Sequence, residues 1–191
     1  MNNILVTGAA GFIGSWYAKL LVSSRYDVII LDKMTYASDT RRIYDIIDKV
    51  KLYTGDICDR ELVKNIIDKE DINTIVNFAA DTHVDNSIND SGPFIHSNLV
   101  GVHNLLDAVR KNDIDMFIQI STDEVYGPIE ERSFKETDRL APGNPYSACK
   151  AGADLLTLSY SNTYGIDVCI TRSSNCYGPS QHREKFIPRM I

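Results

Sequence analysis

Apolar residues recur along the chain in two rhythms. Short runs at 3–6, 27–31, 74–78, 116–120 and 168–171, with a weaker one at 51–54, have the length and composition of buried strands. Between them the apolar positions fall at helical spacing. These are Trp16, Leu20 and Leu21; Leu62, Val63, Ile66 and Ile67 within 59–69; Phe94, Leu99, Val102, Leu105, Leu106 and Val109 within 93–111; and Leu155, Leu156 and Leu158 within 145–164. Strands alternating with helices predict an α/β fold, a doubly wound parallel sheet of the Rossmann type with helices on both faces. The strands are expected to cross the sheet in chain order. Residues 33–50 carry no strong period and read as a surface connection with a short helix around 41–47.

The strand ends carry the chemistry. Thr7-Gly8-Ala9-Ala10-Gly11-Phe12-Ile13-Gly14 follows the first strand directly and opens the first helix. Glycines there allow a tight turn and let backbone N–H groups and the helix N-terminus approach a pyrophosphate. The second strand ends in Asp32, eighteen residues beyond Gly14, where a carboxylate accepts from ribose hydroxyls and repels a 2′-phosphate. That favours NAD over NADP. At Gly55-Asp56-Ile57, Asp56 either binds an adenine amino group, with Ile57 over the ring, or serves as a turn residue. Ala79 and Ala80 leave room for a dinucleotide or pack tightly. The Asp81-Thr82-His83-Val84-Asp85 cluster matches no metal-ligand spacing, so no metal is expected.

Ser121-Thr122-Asp123-Glu124-Val125-Tyr126-Gly127 follows the fifth strand run. Two adjacent carboxyl groups in a cleft take separate acid and base roles when their environments push the pKa values apart; in a solvated loop they do nothing of the kind. Tyr146 and Lys150 lie one helical turn apart, and an ammonium beside a phenol is expected to lower its pKa and make it a base. Asn144 as N-cap and Pro145 at the first helical position start that helix, and Gly165 stops it.

Composition narrows the picture. The 191 residues are 43% hydrophobic and 24% charged, ordinary for a globular domain, and the net charge of −6 gives no electrostatic reason to expect nucleic acid or an anionic membrane. No apolar run approaches the roughly 18 residues of a membrane span. Cys58, Cys149, Cys169 and Cys176 form no C-x-x-C pair, which fits reduced thiols in the cytoplasm.

Taken together, the G-x-x-G-x-x-G turn, Asp32-Lys33-Met34-Thr35-Tyr36-Ala37, Gly55 to Asp59, Ala79 to Asp85, Ser121 to Gly127, Tyr146 to Lys150 and Tyr177 to Pro188 resemble the extended short-chain dehydrogenase/reductase family. Within it the chain is most similar to the dTDP-glucose 4,6-dehydratases, and Thr122-Asp123-Glu124 is the most specific element of that resemblance. The resemblance implies a redox cycle on a nucleotide-linked hexose. Tyr146, helped by Lys150 and Thr122, takes the O4 proton during C4 oxidation; Glu124 removes C5–H; Asp123 protonates the departing C6 hydroxyl; the reducing equivalent returns to C6. It also implies NAD contacts from Gly8, Gly11, Phe12, Ile13, Gly14, Asp32, Lys33, Met34, Thr35, Asp56, Ile57, Phe78, Ala79, Ala80, Ser97, Tyr146, Lys150 and Cys176. Thr82, Thr122, Asn175, Lys185 and Phe186 match sugar-nucleotide positions.

The same resemblance assigns 1–173 to the NAD-binding domain and 174–191 to the truncated start of a substrate lobe. It also implies a homodimer through the 93–111 and 145–164 helices. Cys176, where the family has asparagine, and the loop Ser180-Gln181-His182-Arg183 depart from the pattern. An epimerase or decarboxylase of the same fold, or a non-catalytic NAD-binding regulator, are the alternatives.

Overall fold

The computed structural model describes residues 3–129 and 133–191. Six strands form one parallel sheet: β1 (Asn3–Thr7), β2 (Asp27–Asp32), β3 (Val50–Thr54), β4 (Thr74–Asn77), β5 (Met116–Thr122) and β6 (Val168–Ser173). Their order is β3-β2-β1-β4-β5-β6, not the expected chain order. β1 pairs with both β2 and β4, so the chain builds outward from β1 to one edge and then crosses back to build the other half. The parallel pairing requires this return crossover, which α2 (Arg60–Glu70) carries. The β1–β4 boundary is thereby a switch point in the winding, and there a crevice opens at the carboxyl ends of the strands.

Strand residues alternate between two cores. Leu5, Ile29, Leu31, Ile75 and Phe117 pack against Val63, Ile66 and Ile67 of α2, Val102, Leu105, Leu106 and Val109 of α5 (Gly101–Lys111), and Ala153 and Tyr160 of α6 (Pro145–Tyr164). Ile4, Val6, Val28, Ile30 and Val76 face Ala18 and Leu21 of α1 (Phe12–Ser23), with Ile43 and Ile46 from a 3₁₀ helix over Thr40–Lys49. Burying each such side chain is worth about 1.5–3 kcal/mol, so this two-sided alternation fixes which way every strand faces. On the outer half of the second face, Cys169, Thr171 and Ser173 of β6 are exposed.

Several elements differ from the sequence expectation. The helix predicted over 93–111 comprises α4 (Gly92–Ile95), a π-helical turn over His96–Val100, and α5. The polar cluster at 81–85 runs into a short helix, α3 (Val84–Asn89), whose buried Ser87 docks on α6. Asp123–Tyr126 form a 3₁₀ turn after β5. By contrast α6 spans the residues read from its caps. Asn144 and Ser147 exchange side-chain-to-backbone hydrogen bonds in a capping box, and Gly165 closes the helix at φ 70°. Phe186–Met190 form the last helix, α7, with no buried residue.

Candidate active site

The crevice is a cavity of about 620 Å³ running across the strand ends from β3 to β6. One wall is the glycine turn. Gly8 sits at φ 69°, and a Cβ there would meet the Ala79 backbone nitrogen at 2.7 Å; a Cβ on Gly14 would meet the Gly8 carbonyl at 2.5 Å. Only glycine lets the turn nest against β4 and against its own helix. α1 begins at Gly11 with no side-chain cap, so its first backbone N–H groups keep their capacity for an anion.

Asp32 closes the β2 end of the cavity and is almost fully buried. Its Oδ2 accepts from Ala10 N at 2.8 Å, and its Oδ1 from Met34 N at 2.9 Å and Ser38 Oγ at 2.7 Å. A carboxylate has about four acceptor sites, so these three bonds fix the group and leave room for one more donor. Arg42, which the sequence did not single out, ties the neighbouring loops together. It donates to the carbonyls of Ala10 (3.0 Å), Ala37 (2.6 Å) and Ser180 (3.0 Å).

Beyond it, Asp56 pairs with Lys33 at 2.8 Å and accepts from Cys58 N, while Ile57 is buried beneath. Asp56, Cys58 and His96 bring three metal-capable atoms within 4.8 Å of one another. The Lys33 ammonium already occupies the Asp56 carboxylate, and burial with the adjacent Asp56 pushes the Cys58 thiol up to about 12. Neither fits a thiolate metal site.

The π-helical turn builds the opposite rim. Asn98 is buried, accepts from Asp81 N (2.9 Å) and donates to Asp81 O (3.0 Å), clamping the loop after β4. Ser97 donates to the Asp81 carboxylate at 2.8 Å. A π turn offsets the helix register locally, which lets both residues face one strand end.

At the β5 end stand Thr122, Glu124, Tyr146 and Lys150, all on the cavity wall. Asn144 caps α6 and also donates to Glu124 Oε2 at 3.3 Å, so one residue positions helix and carboxylate together. Ser87 accepts from Tyr146 N, and Phe94 meets the Tyr146 ring edge-on at 6.4 Å. The Tyr146 phenol is pushed up to about 12, first by burial and then by the Glu124 carboxylate; a hydrogen bond with Thr122 opposes both.

This reverses the direction expected from the Lys150 spacing. The Lys150 ammonium is buried and donates to the Ile120 carbonyl, and burial lowers it to about 8. In the protein alone the phenol is therefore a held proton donor, and its use as a base requires a further positive charge nearby.

Of the expected cofactor residues, Gly8, Gly11, Phe12, Ile13, Gly14, Asp32, Lys33, Thr35, Asp56, Ile57, Phe78, Ala79, Ala80, Ser97 and Cys176 all line this single cavity. So do Thr82, Asn175, Lys185 and Phe186, with Lys185 Nζ 3.4 Å from the Thr82 carbonyl. Met34 and Asp123 are not among the lining residues. Met34 takes a left-handed backbone (φ 56°) that commits its N–H to Asp32. Asp123 opens the 3₁₀ turn and accepts from Thr122 Oγ1 at 3.3 Å. The wall also includes Ser38, which no local motif marks, and His83, Gln181, His182 and Glu184, which lie in the matching segments 79–85 and 177–188 but to which the resemblance assigns no role.

Fold and site together define a dinucleotide-binding α/β protein of the short-chain dehydrogenase/reductase type. The chain belongs to the family described as GDP-mannose 4,6 dehydratase, whose model matches residues 5–191. It is 50% identical over 192 residues to the low-salt glycan biosynthesis protein Agl12 of Haloferax volcanii, covering 99% of this chain and 61% of that protein. It is 45% identical to a dTDP-glucose 4,6-dehydratase of Actinoplanes sp., covering 98% and 61%. The crystal structure of the dTDP-glucose 4,6-dehydratase DesIV of Streptomyces venezuelae, solved with NAD bound, superposes with a TM-score of 0.94 at 40% identity, covering 98% of this chain and 60% of that one. The motif resemblance is thus borne out, and the chain spans about 61% of the length of these curated relatives.

Proposed function

We propose that the protein is an NAD-dependent nucleotide-sugar 4,6-dehydratase that converts dTDP-glucose to dTDP-4-keto-6-deoxyglucose. The observation that carries this reading is one continuous cavity with a dinucleotide cradle at one end and Thr122, Glu124, Tyr146 and Lys150 converging at the other. The cradle fits the cofactor: Gly8 and Gly14 leave the turn no room for a side chain, α1 begins uncapped, and Asp32 retains an acceptor site at the ribose end. The NAD-bound relative supports the same choice. NAD bound here would supply the transient oxidation at C4 and the reduction at C6.

The chain's own groups do the proton work. Tyr146, bonded to Thr122, takes the proton from O4; Lys150 together with the further positive charge that bound NAD would bring favours its ionised form. Oxidation at C4 makes C5–H acidic, and Glu124, held by Asn144, removes that proton. Asp123 protonates the departing C6 hydroxyl. Met34 is assigned to the cofactor shell and Thr82, Asn175, Lys185 and Phe186 to the sugar nucleotide, so residues 174–191 open the substrate lobe while 1–173 hold NAD.

Incubating the full-length protein with dTDP-glucose and reading the product by mass spectrometry tests the function. Loss of one water is expected. A second reading, an epimerase of the same fold, is favoured by the position of Asp123 off the cavity wall; it predicts unchanged mass.

We place the protein in the cytoplasm on its four free thiols, and as a homodimer through α5, α6 and the preceding π turn. Val100, Leu155 and Leu158 are 45%, 58% and 40% exposed there. Replacing Leu155 and Leu158 with glutamate should give a monomer by light scattering; an unchanged mass would count against this interface.

A further inference from the structure

One turn beyond Lys150, α6 buries a second charge that takes no part in the chemistry above. Asp154 is fully inaccessible, and its Oδ2 accepts from Arg172 Nε at 2.8 Å. Arg172, on β6, is itself anchored. It donates to Tyr126 Oη at 2.7 Å and to the Glu136 carbonyl at 3.3 Å, and its guanidinium lies 5.1 Å over the Tyr126 ring. The other Asp154 oxygen, Oδ1, and the Ser121 hydroxyl are both buried and bond to no third group among the described residues; the hydroxyl lies near enough to Asp154 to favour its charged form. Ser121 follows Ile120, whose carbonyl receives the Lys150 ammonium. A buried carboxylate with its hydroxyl neighbour and a buried ammonium one helical turn away therefore gather near the end of β5.

Burying an ion pair seldom adds stability by itself, because desolvation consumes the attraction. A buried carboxylate one helical turn from a buried ammonium acts instead on that ammonium. We propose that Asp154 is a positioning residue for Lys150: its carboxylate, anchored by Arg172, holds the Lys150 amine in its charged form at the cavity wall.

The surrounding groups support this. On its own helix Lys150 shares a face with Tyr146 and Asp154; from β5 it meets the Ile120 carbonyl, and the next residue, Ser121, bears on Asp154. Glu124 acts on Tyr146, and Arg172 of β6 acts on Asp154. Burial pulls Lys150 down to about 8 and Asp154 pulls it back up. Burial likewise raises Asp154; hydrogen bonds from Arg172 and Ser121 oppose that, as do the charges of Arg172 and Lys150. Arg172 thus competes with Lys150 for the same carboxylate.

That competition gives the test. In the 191-residue chain, Lys150 is titrated by NMR of ¹³Cε-labelled lysine, with its resonance assigned by loss in K150M. D154N should lower the Lys150 pKa by about one unit, and R172Q, which frees the carboxylate for Lys150, should raise it by a similar amount. D154E should keep the parent value. General loosening of the fold would move both variants the same way, toward an exposed lysine. Opposite shifts support the role; unchanged titration in the folded variants, or shifts of one sign, overturn it. Where D154N does not fold, R172Q decides, and a parent-like Lys150 titration refutes the proposal. The role rests on the catalytic reading of Lys150. The titration needs neither substrate nor turnover, so a failed turnover assay and a failed titration refute different claims.

Discussion

Lys150 gives up its proton near pH 8 in the folded chain, whereas an unfolded lysine holds it to about 10.5. Between those values the unfolded state binds more protons, so folding stability should rise as pH goes from about 8 to 10.5 and be independent of this group below 8. K150M should abolish that rise and stabilise the fold at neutral pH by up to about 3 kcal/mol. Urea midpoints at pH 7 and pH 10 for both proteins check it; equal pH slopes would contradict it. Tyr146 works in the other direction, losing its proton only near 12. The sequence showed that the two residues share a face but not which way the lysine points, because Ile120 lies thirty residues away. Gly8 was legible as a turn glycine, and the structure adds the reason. G8A forces an alanine to φ 69° with its Cβ 2.7 Å from Ala79 N, so it should destabilise the chain by at least about 1 kcal/mol and abolish NAD binding by calorimetry.

Elements with local signals were read with little error. The Asn144 cap, Pro145 and Gly165 bracket α6, and all of that information lies inside or next to the helix. N144A should cost about 1 kcal/mol through the lost cap. In the full-length protein, on the proposed function, it should also lower kcat, because Asn144 Nδ2 holds Glu124; a stability loss with unchanged kcat would separate the two roles. The elements that escaped prediction are stabilised from a distance. The π turn at His96–Val100 exists where Asn98 clamps Asp81, α3 where Ser87 meets the Tyr146 N–H, and the 3₁₀ turn after β5 where Thr122 caps Glu124. No periodicity in their own residues announces them. The Asp154–Arg172 pair is of the same kind, joining α6 to β6 across 18 positions.

For the whole molecule, alternating strands and helices dictated a parallel sheet, but not that β1 would lie inside it. Strand order depends on which edge of β1 remains open when β4 arrives, a property of the assembled half-sheet. That order is what gathers the glycine turn, Asp32, the Asp81 loop and the Thr122–Glu124 turn at one end of the sheet. There, on the proposed function, Glu124 is the base for C5 of a nucleotide-linked hexose. The most direct measurement is a single turnover of full-length E124Q with dTDP-glucose in D₂O, following NADH absorbance and deuterium at C5. NADH should form and persist, with deuterium uptake at C5 slowed by about 10²- to 10⁴-fold. Deuterium entering C5 as fast as in the parent enzyme would show that Glu124 is not the base.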